Sequence, residues 1–297
     1  MKITITGSLG NVGKRLTEQL TAKGHRVTVI SHNPKNAQAI QDLQAVPAIG
    51  SVDDYPFLVD AFRNADAVFT MVPPDLSTDD YDGAVRRTGS ILARALAETS
   101  VPFIVNLSSI GAHSPDRNGP SGAFYYEEKE LNELEKANVL HLRAGMFYTN
   151  FYGSIGMIKH MGVIGNNFGG KINLTLTHPH DIADMAASAL DKLSFTGKSV
   201  RYVVSEERSG EEIAQLLGDA IGKPELQWVT FSDEELLQGM MQGGFSRHMA
   251  SKFVELGISI KEGRLWEDYL QNKPREFGKK SFEDFAKEFA MAYEHSN

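Results

Sequence analysis

Gly7, Gly10 and Gly13 stand three residues apart in the run Gly7-Ser8-Leu9-Gly10-Asn11-Val12-Gly13. Glycines so placed suit a phosphate-binding turn. The first permits a tight turn, the second lets a pyrophosphate approach the backbone, and the third lets a helix pack close to a sheet. Leu9, Asn11 and Val12 fill the loop and share in the cradle. The free N–H groups of the helix start then face the phosphates. The spacing is G-x-x-G-x-x-G rather than G-x-G-x-x-G, and it carries meaning only between a strand and a helix. That context is present. Ile3-Thr4-Ile5-Thr6 alternates apolar residues, and Val12, Leu16 and Leu20 then follow at helical spacing. The expectation is a dinucleotide site, with a glycine turn that binds nothing as the bland alternative.

A second strand, Arg26 to Ile30, ends at Ser31-His32-Asn33-Pro34-Lys35. An NAD site usually places an acid here for the ribose 2′-hydroxyl. No acid occurs between Arg26 and Gln41, so Ser31, His32 and Lys35 are candidates for a 2′-phosphate. A carboxylate would repel that phosphate, which favours NADP over NAD. Lys35 reads almost equally well as a solvated loop lysine. Asp53 and Asp54 could reach an adenine or cap the helix that starts at Tyr55.

The elements around these residues alternate. Strands at Ala45 to Ala48, Ala67 to Val72 and Phe103 to Leu107 are separated by helical stretches at Tyr55 to Arg63 and Gly83 to Glu98. This pattern predicts an α/β fold, a Rossmann doubly wound parallel sheet covered on both faces. Val72 and Pro73 would lie along the cofactor. Beyond it come a helix at Phe124 to Lys136, a strand at Val139 to Leu142 and a Gly-rich loop from Gly153 to Gly170. Asp181 reads as the N-cap of a helix to Leu193, and Val200 to Val204 as another strand. Capping signals stand at Ser209/Glu212, Ser232/Glu235 and Ser281/Asp284. The expected division is a dinucleotide-binding domain over 1–150 and a smaller C-terminal α/β cap over 151–297. Some segments of the second part could return to the sheet.

Composition excludes several classes. The 297 residues hold 30 Lys and Arg against 38 Asp and Glu, a net charge of −8, and no basic run, which argues against nucleic acid as a partner. There is no cysteine, so disulfides, thiolate metal sites and cysteine nucleophiles are absent. No apolar stretch approaches the roughly 18–20 residues of a membrane span. Met1-Lys2-Ile3 runs straight into a strand without an apolar signal core, so the expectation is cytoplasmic. His178 and His180 flank Pro179 without a third ligand, so no metal is expected. A homo-oligomer stays open.

The start Ile-Thr-Ile-Thr-Gly-Ser-Leu-Gly-Asn-Val-Gly resembles the NmrA-like group of atypical short-chain dehydrogenase/reductases. Asn33-Pro34-Lys35, Leu107-Ser108-Ser109-Ile110-Gly111-Ala112-His113, Leu142-Arg143-Ala144-Gly145-Met146-Phe147 and His180-Asp181-Ile182-Ala183 extend the resemblance along essentially the whole chain. It implies a Ser, Tyr and Lys set. Tyr125 would be the proton donor, Lys129 would lower its pKa and hold the nicotinamide ribose, and Ser108 would orient the carbonyl oxygen. Tyr125 and Lys129 have the i, i+4 spacing that puts both on one helix face. Members with a Ser-Ser-Ile-Gly-Ala segment often carry histidine where Tyr125 stands, so Tyr125 also reads as a packed tyrosine beside a cofactor-binding Lys129. Ser109, Phe147 and Tyr148 are candidates to wall a flat substrate. Met240, Met241, Phe245 and Met249 suggest either a lid or a poorly packed helix. The resulting expectation is an NADP(H)-dependent oxidoreductase passing hydride to a small apolar carbonyl or quinone-like compound. Its rivals are a non-catalytic NAD(P)-sensing regulator that binds a protein partner and, more weakly, an epimerase-type enzyme.

Overall fold

The structure, a computed structural model, describes residues 1–296. In chain order its elements are β1 (Lys2–Ile5), α1 (Gly13–Ala22), β2 (Arg26–Ser31), α2 (Asn36–Asp42), β3 (Val46–Ile49), α3 (Tyr55–Phe62), β4 (Ala67–Thr70), α4 (Tyr81–Thr99), β5 (Phe103–Ser109), α5 (Phe124–Asn132), β6 (Asn138–Ala144) and β7 (Met146–Phe147). They continue as α6 (Ile155–Met161), β8 (Val163–Asn166), β9 (Asn173–Thr177), α7 (Pro179–Lys192), β10 (Lys198–Val203), β11 (Glu206–Ser209), α8 (Gly210–Ala220), β12 (Gln227–Thr230), α9 (Asp233–Gln242), α10 (Arg247–Lys261), α11 (Glu267–Gln271) and α12 (Phe282–His295).

Seven strands pair in parallel in the order β10-β6-β5-β4-β1-β2-β3. Alternate residues face opposite sides of a strand, so each strand feeds two cores. Ile3, Ile5, Phe69, Val105, Leu107, Leu140 and Leu142 are buried with Leu16 and Leu20 of α1 and Ile182 and Leu190 of α7. Ile30, Val68, Ile104 and Val139 face the other way, onto Leu58, Phe62, Leu92, Leu96 and Leu131 from α3, α4 and α5. Each such side chain contributes about 1.5–3 kcal/mol by leaving water. The chain turns from one flank of the sheet to the other between β1 and β4, and that reversal opens a crevice at their carboxyl ends.

β10 extends the central sheet beside β6, and α7 packs on α1, where Arg15 grips Asp184 at 2.6 and 3.0 Å. The other late segments form a cap with its own aromatic core around Tyr148, Phe282, Phe285 and Phe289. It includes a three-stranded sheet, β11-β9-β7, and a pair, β12-β8.

Several local expectations need correction. The stretch from Gly153 to Gly170 is not a loop, since it holds α6 and β8, with Gly162 at φ +69° ending the helix. α5 stops at Asn132, short of Lys136. Asp181 does not cap α7. The imidazole of His178 does, its Nδ1 accepting from the His180 N–H at 3.0 Å. Burial, helped by the charge of His180, pushes His178 down to about 4, which keeps the ring neutral as an acceptor must be. Asp181 lies inside the helix, buried, and accepts from Ser205 Oγ and the backbone N–H groups of Lys279 and Lys280. The capping boxes at Ser209 and Ser232 both form. Among the described residues no helix is long and apolar enough to cross a membrane, and no three His, Asp or Glu side chains gather as a metal site.

Candidate functional site

The glycine turn joins β1 to α1 at the crevice. Gly7 has φ +93°, and a Cβ there would lie 2.3 Å from Met71 Sδ. A Cβ on Gly13 would lie 2.1 Å from the Ser8 carbonyl oxygen, so the helix start must be glycine to sit this close to the turn. Gly10 differs: a Cβ there would meet nothing nearer than 3.5 Å, at the Gly7 carbonyl. The fold therefore does not require glycine at position 10, whereas a ligand pressed against the loop would. Val12 stands at the N-cap of α1 with no side chain capping the turn, and the first turn carries no acid. The Lys14 N–H is taken by the Gly10 carbonyl at 3.2 Å; the N–H groups that remain at this helix start, with its positive dipole, favour an anion. Gly10 and Asn11 are exposed, Val12 is buried, and Leu9 is half-buried. Leu9, Met71 and Phe147 pack at the margin of one core, forming an apolar rim.

At the tip of β2, His32 and Lys35 are exposed, while Ser31 is buried and hydrogen-bonded within the loop. Of the two acids after β3, Asp54 caps α3 through the Phe57 N–H, and Asp53 accepts the Thr88 hydroxyl at 2.5 Å. Asp53, Val72, Pro73, Tyr81 and Thr88 line a cleft of about 350 Å³. Its walls are the loop after β3, the loop after β4 and the start of α4. That start is braced from the cap, where His248 Nε2 accepts the Tyr81 N–H at 3.2 Å and Lys252 pairs with Asp82.

The face of the sheet beneath α4 and α5 carries two polar rows. Thr70, Asn106 and His141 are in register on β4, β5 and β6. Thr70 donates to Asn106 Oδ1 at 2.9 Å, and Asn106 Nδ2 donates to His141 Nδ1 at 3.2 Å. His141 Nε2 must then carry the proton it gives to Asn132 Oδ1 at 3.0 Å. Burial lowers this histidine's pKa, which agrees with the neutral ring that the row requires. Two residues along, Ser108, Arg143 and Tyr202 are in register on β5, β6 and β10. Arg143 holds Glu128 with two hydrogen bonds of 2.6 and 2.9 Å, and also donates to Asp268 and the Tyr202 hydroxyl. Burial opposes the charge of Arg143, but its bonds to Glu128 outweigh this and raise its pKa.

This row decides where the sequence-derived catalytic set goes. Ser108 is buried, and its hydroxyl donates to Glu128 Oε1 at 2.5 Å rather than towards the crevice. Tyr125 is half-buried, stacked edge-on against Tyr126 at 5.4 Å, and hydrogen-bonds to neither Ser108 nor Lys129. Lys129 is exposed and makes no ion pair among the described residues. The helical spacing is present, but the three side chains are not joined. Ser109, next to Ser108 on the opposite face of β5, is the more accessible hydroxyl at the strand's carboxyl end. Phe147 lies on the rim, whereas Tyr148 does not wall the crevice. It is fully buried, edge-on to His178 and Phe282, and its hydroxyl donates to the Lys280 carbonyl at 3.0 Å.

Sequence reasoning missed Glu127 and Glu128. Glu127 is buried against Gly89 of α4, and neither carboxyl oxygen makes a hydrogen bond. Burial, with the neighbouring charge of Glu128, pushes its pKa up to about 8. Two acids beside a tyrosine look like a solvated helix face in sequence. Only the opposing Arg143 reveals that Glu128 points inward.

The NmrA-like family profile matches residues 1–273. An NAD(P)H azoreductase of Xenophilus azovorans is 23% identical over 294 residues, covering 98% of this chain and 99% of that protein. Among solved structures, an NADPH-dependent quinone oxidoreductase of Escherichia coli, complexed with NADPH, superposes with a TM-score of 0.81 at 19% identity, over 96% of this chain and 99% of that one. A Citrobacter triphenylmethane reductase gives 0.80 at 17% identity, over 98% and 100%. At these identities the structural likeness shows the fold.

Proposed function

The chain belongs to the NmrA-like family, and from that premise we propose that it is an NADP(H)-dependent oxidoreductase that reduces small, flat, quinone-like acceptors. The observation that carries this reading is the glycine turn: Gly10 is unconstrained by the fold, yet it stands exposed at a helix start that no side chain caps, at the switch point of the sheet. The α1 start and Gly10 would hold the diphosphate. His32 and Lys35 would face the 2′-phosphate, with no acid between Arg26 and Gln41 to repel it. The cleft between Asp53, Val72 and Thr88 has room for the adenosine. Its relatives named for NADPH-dependent quinone reduction, triphenylmethane reduction and azo reduction support a reductase.

When bound, the cofactor supplies the hydride. The residues around it position the acceptor. Leu9, Met71 and Phe147 offer an apolar surface to a flat ring, and Ser109 offers a donor to its oxygen. A simple carbonyl would need a positioned acid in the transition state, and Ser108, Tyr125 and Lys129 share no hydrogen bond that would favour such a role. A quinone-like acceptor delocalises the incoming charge, so water can deliver the proton. This preference separates a quinone-like substrate from an aliphatic aldehyde or ketone.

The test is NADPH oxidation by purified protein against quinones, azo and triphenylmethane dyes, and aldehydes. Turnover of the first two groups and not of aldehydes is expected. Turnover of aldehydes with loss in Tyr125→Phe would restore the tyrosine mechanism. NADPH binding without any turnover would favour the cofactor-sensing alternative.

A further inference from the structure

Ser8, the second residue of the glycine turn, adopts φ +53°, a left-handed conformation that a residue with a side chain enters at a cost of about 1–2 kcal/mol. Its surroundings hold it there. The Ser8 N–H donates to the Ile30 carbonyl at 3.1 Å, tying the turn to the end of β2. Asn36, the first residue of α2, donates from Nδ2 to both Ser8 Oγ and Ser31 Oγ, each at 3.0 Å, and the two hydroxyls lie 3.0 Å apart. These three side chains clasp the pyrophosphate turn to the loop where the 2′-phosphate is expected.

Proton counting shows what the clasp leaves available. Ser31 Oγ already receives the Asn36 amide and, at 3.2 Å, the Asn33 N–H, which fill its two lone pairs. Ser31's own proton has the Asn33 carbonyl as acceptor at 3.3 Å. The Ser8 proton therefore points at an oxygen that is already supplied. It is the one hydroxyl proton of the cluster that can turn to an incoming acceptor without leaving a partner unsatisfied. Ser31 is 2% exposed and cannot reach out, whereas Ser8 is half-buried beside exposed His32 and Lys35.

We propose that Ser8 is a specificity-determining residue that donates its hydroxyl to the 2′-phosphate of NADP, and that Asn36 is the positioning residue that holds it. This rests on the reading of the crevice as an NADP(H) site. A hydrogen bond to a dianionic phosphate is charge-assisted and is absent with NAD(H), so its loss acts on one coenzyme alone.

The test is calorimetric titration of the full chain with NADPH and NADH for wild type, Ser8→Ala, Ser8→Gly and Asn36→Ala. Glycine accepts φ +53° without strain, so Ser8→Gly separates the hydroxyl from backbone effects. Both Ser8 variants should weaken NADPH about tenfold or more, as expected for a hydrogen bond to a charged group, while NADH stays within about twofold. Asn36→Ala should weaken NADPH less, and the double variant Ser8→Ala/Asn36→Ala should be no worse than Ser8→Ala alone, because one acts through the other. Equal weakening of both coenzymes, or no change in either, would overturn the proposal while leaving the NADP(H) reading intact. A wild type that binds neither coenzyme, or prefers NADH, overturns both.

Discussion

The glycine turn and the polar row around Arg143 lie at the same edge of one sheet, and they treat polar groups in opposite ways. At the turn, His32 and Lys35 are exposed, no side chain caps the helix start, and the Ser8 proton goes to a hydroxyl that other donors already supply. In the row, Ser108, Glu128, Arg143, Tyr202 and Asp268 saturate one another behind helix α5. A binding surface keeps donors available for a ligand. A buried network consumes them to hold elements in place. Ser108, expected to be catalytic from its position in the chain, gives its proton to the second kind.

The largest effect should come from breaking the row. Arg143→Met leaves Glu128 as an uncompensated buried charge, and urea unfolding should show a loss of about 3–5 kcal/mol. Any NADPH affinity measured on the folded fraction should be retained. If instead stability holds and affinity falls, Arg143 belongs to the binding surface.

Breaking the turn should do the reverse. Gly10→Asp should change stability by no more than about 0.5 kcal/mol, as for an unconstrained surface position. It should weaken NADPH about a hundredfold through bulk and like charge. Gly13→Ala should damage both properties, because its Cβ meets the Ser8 carbonyl.

Glu127 sharpens the contrast, since it is a polar group that neither region satisfies. Its folded pKa of about 8 lies above its unfolded value. Between the usual carboxylate range and about 8 the folded protein therefore holds one more proton than the unfolded chain. The stability this contributes is complete below the unfolded pKa and is lost as pH rises towards 8. Glu127→Gln should remove that dependence. Its thermal midpoint relative to wild type should be higher at pH 9 than at pH 5, and a constant difference would show that Glu127 ionises freely in the fold.

The smallest effect is expected at Lys129. As an exposed side chain without an ion pair, Lys129→Ala should shift stability by less than about 0.5 kcal/mol and leave quinone reduction nearly unchanged. A steep loss of turnover would return Lys129 to the cofactor.

These contrasts follow what local sequence can encode. The turn was legible because a glycine requirement is written within seven adjacent residues. The strands and helices of the first half were legible because their periodicities alternate cleanly. The partner of the Ser108 hydroxyl was not legible because it is set by tertiary contact: Glu128 is turned inward by Arg143, which arrives from another strand. The α7 cap misled because aspartate is the better cap by residue type, yet Asp181 is drawn to Ser205 and the Lys279–Lys280 backbone, and an imidazole takes its place. Tyr148 misled because an aromatic pair does not say which ring faces the crevice. The link between Ser8 and Asn36 spans the whole of α1 and β2, and no spacing rule joins them.

The place of β10 in the sheet has a consequence for how the chain is made. β6 ends at Ala144, but its outer neighbour is not translated until Lys198–Val203. At typical elongation speeds that gap lasts roughly 3 to 11 seconds. Throughout it β6 is an apolar parallel edge with unpaired N–H and C=O groups, and Arg143 lacks Tyr202. Such an edge readily pairs with another chain. Nascent chains stalled between these strands should therefore be the species that aggregates, and the ribosome's pace across the cap segments sets how long they are at risk.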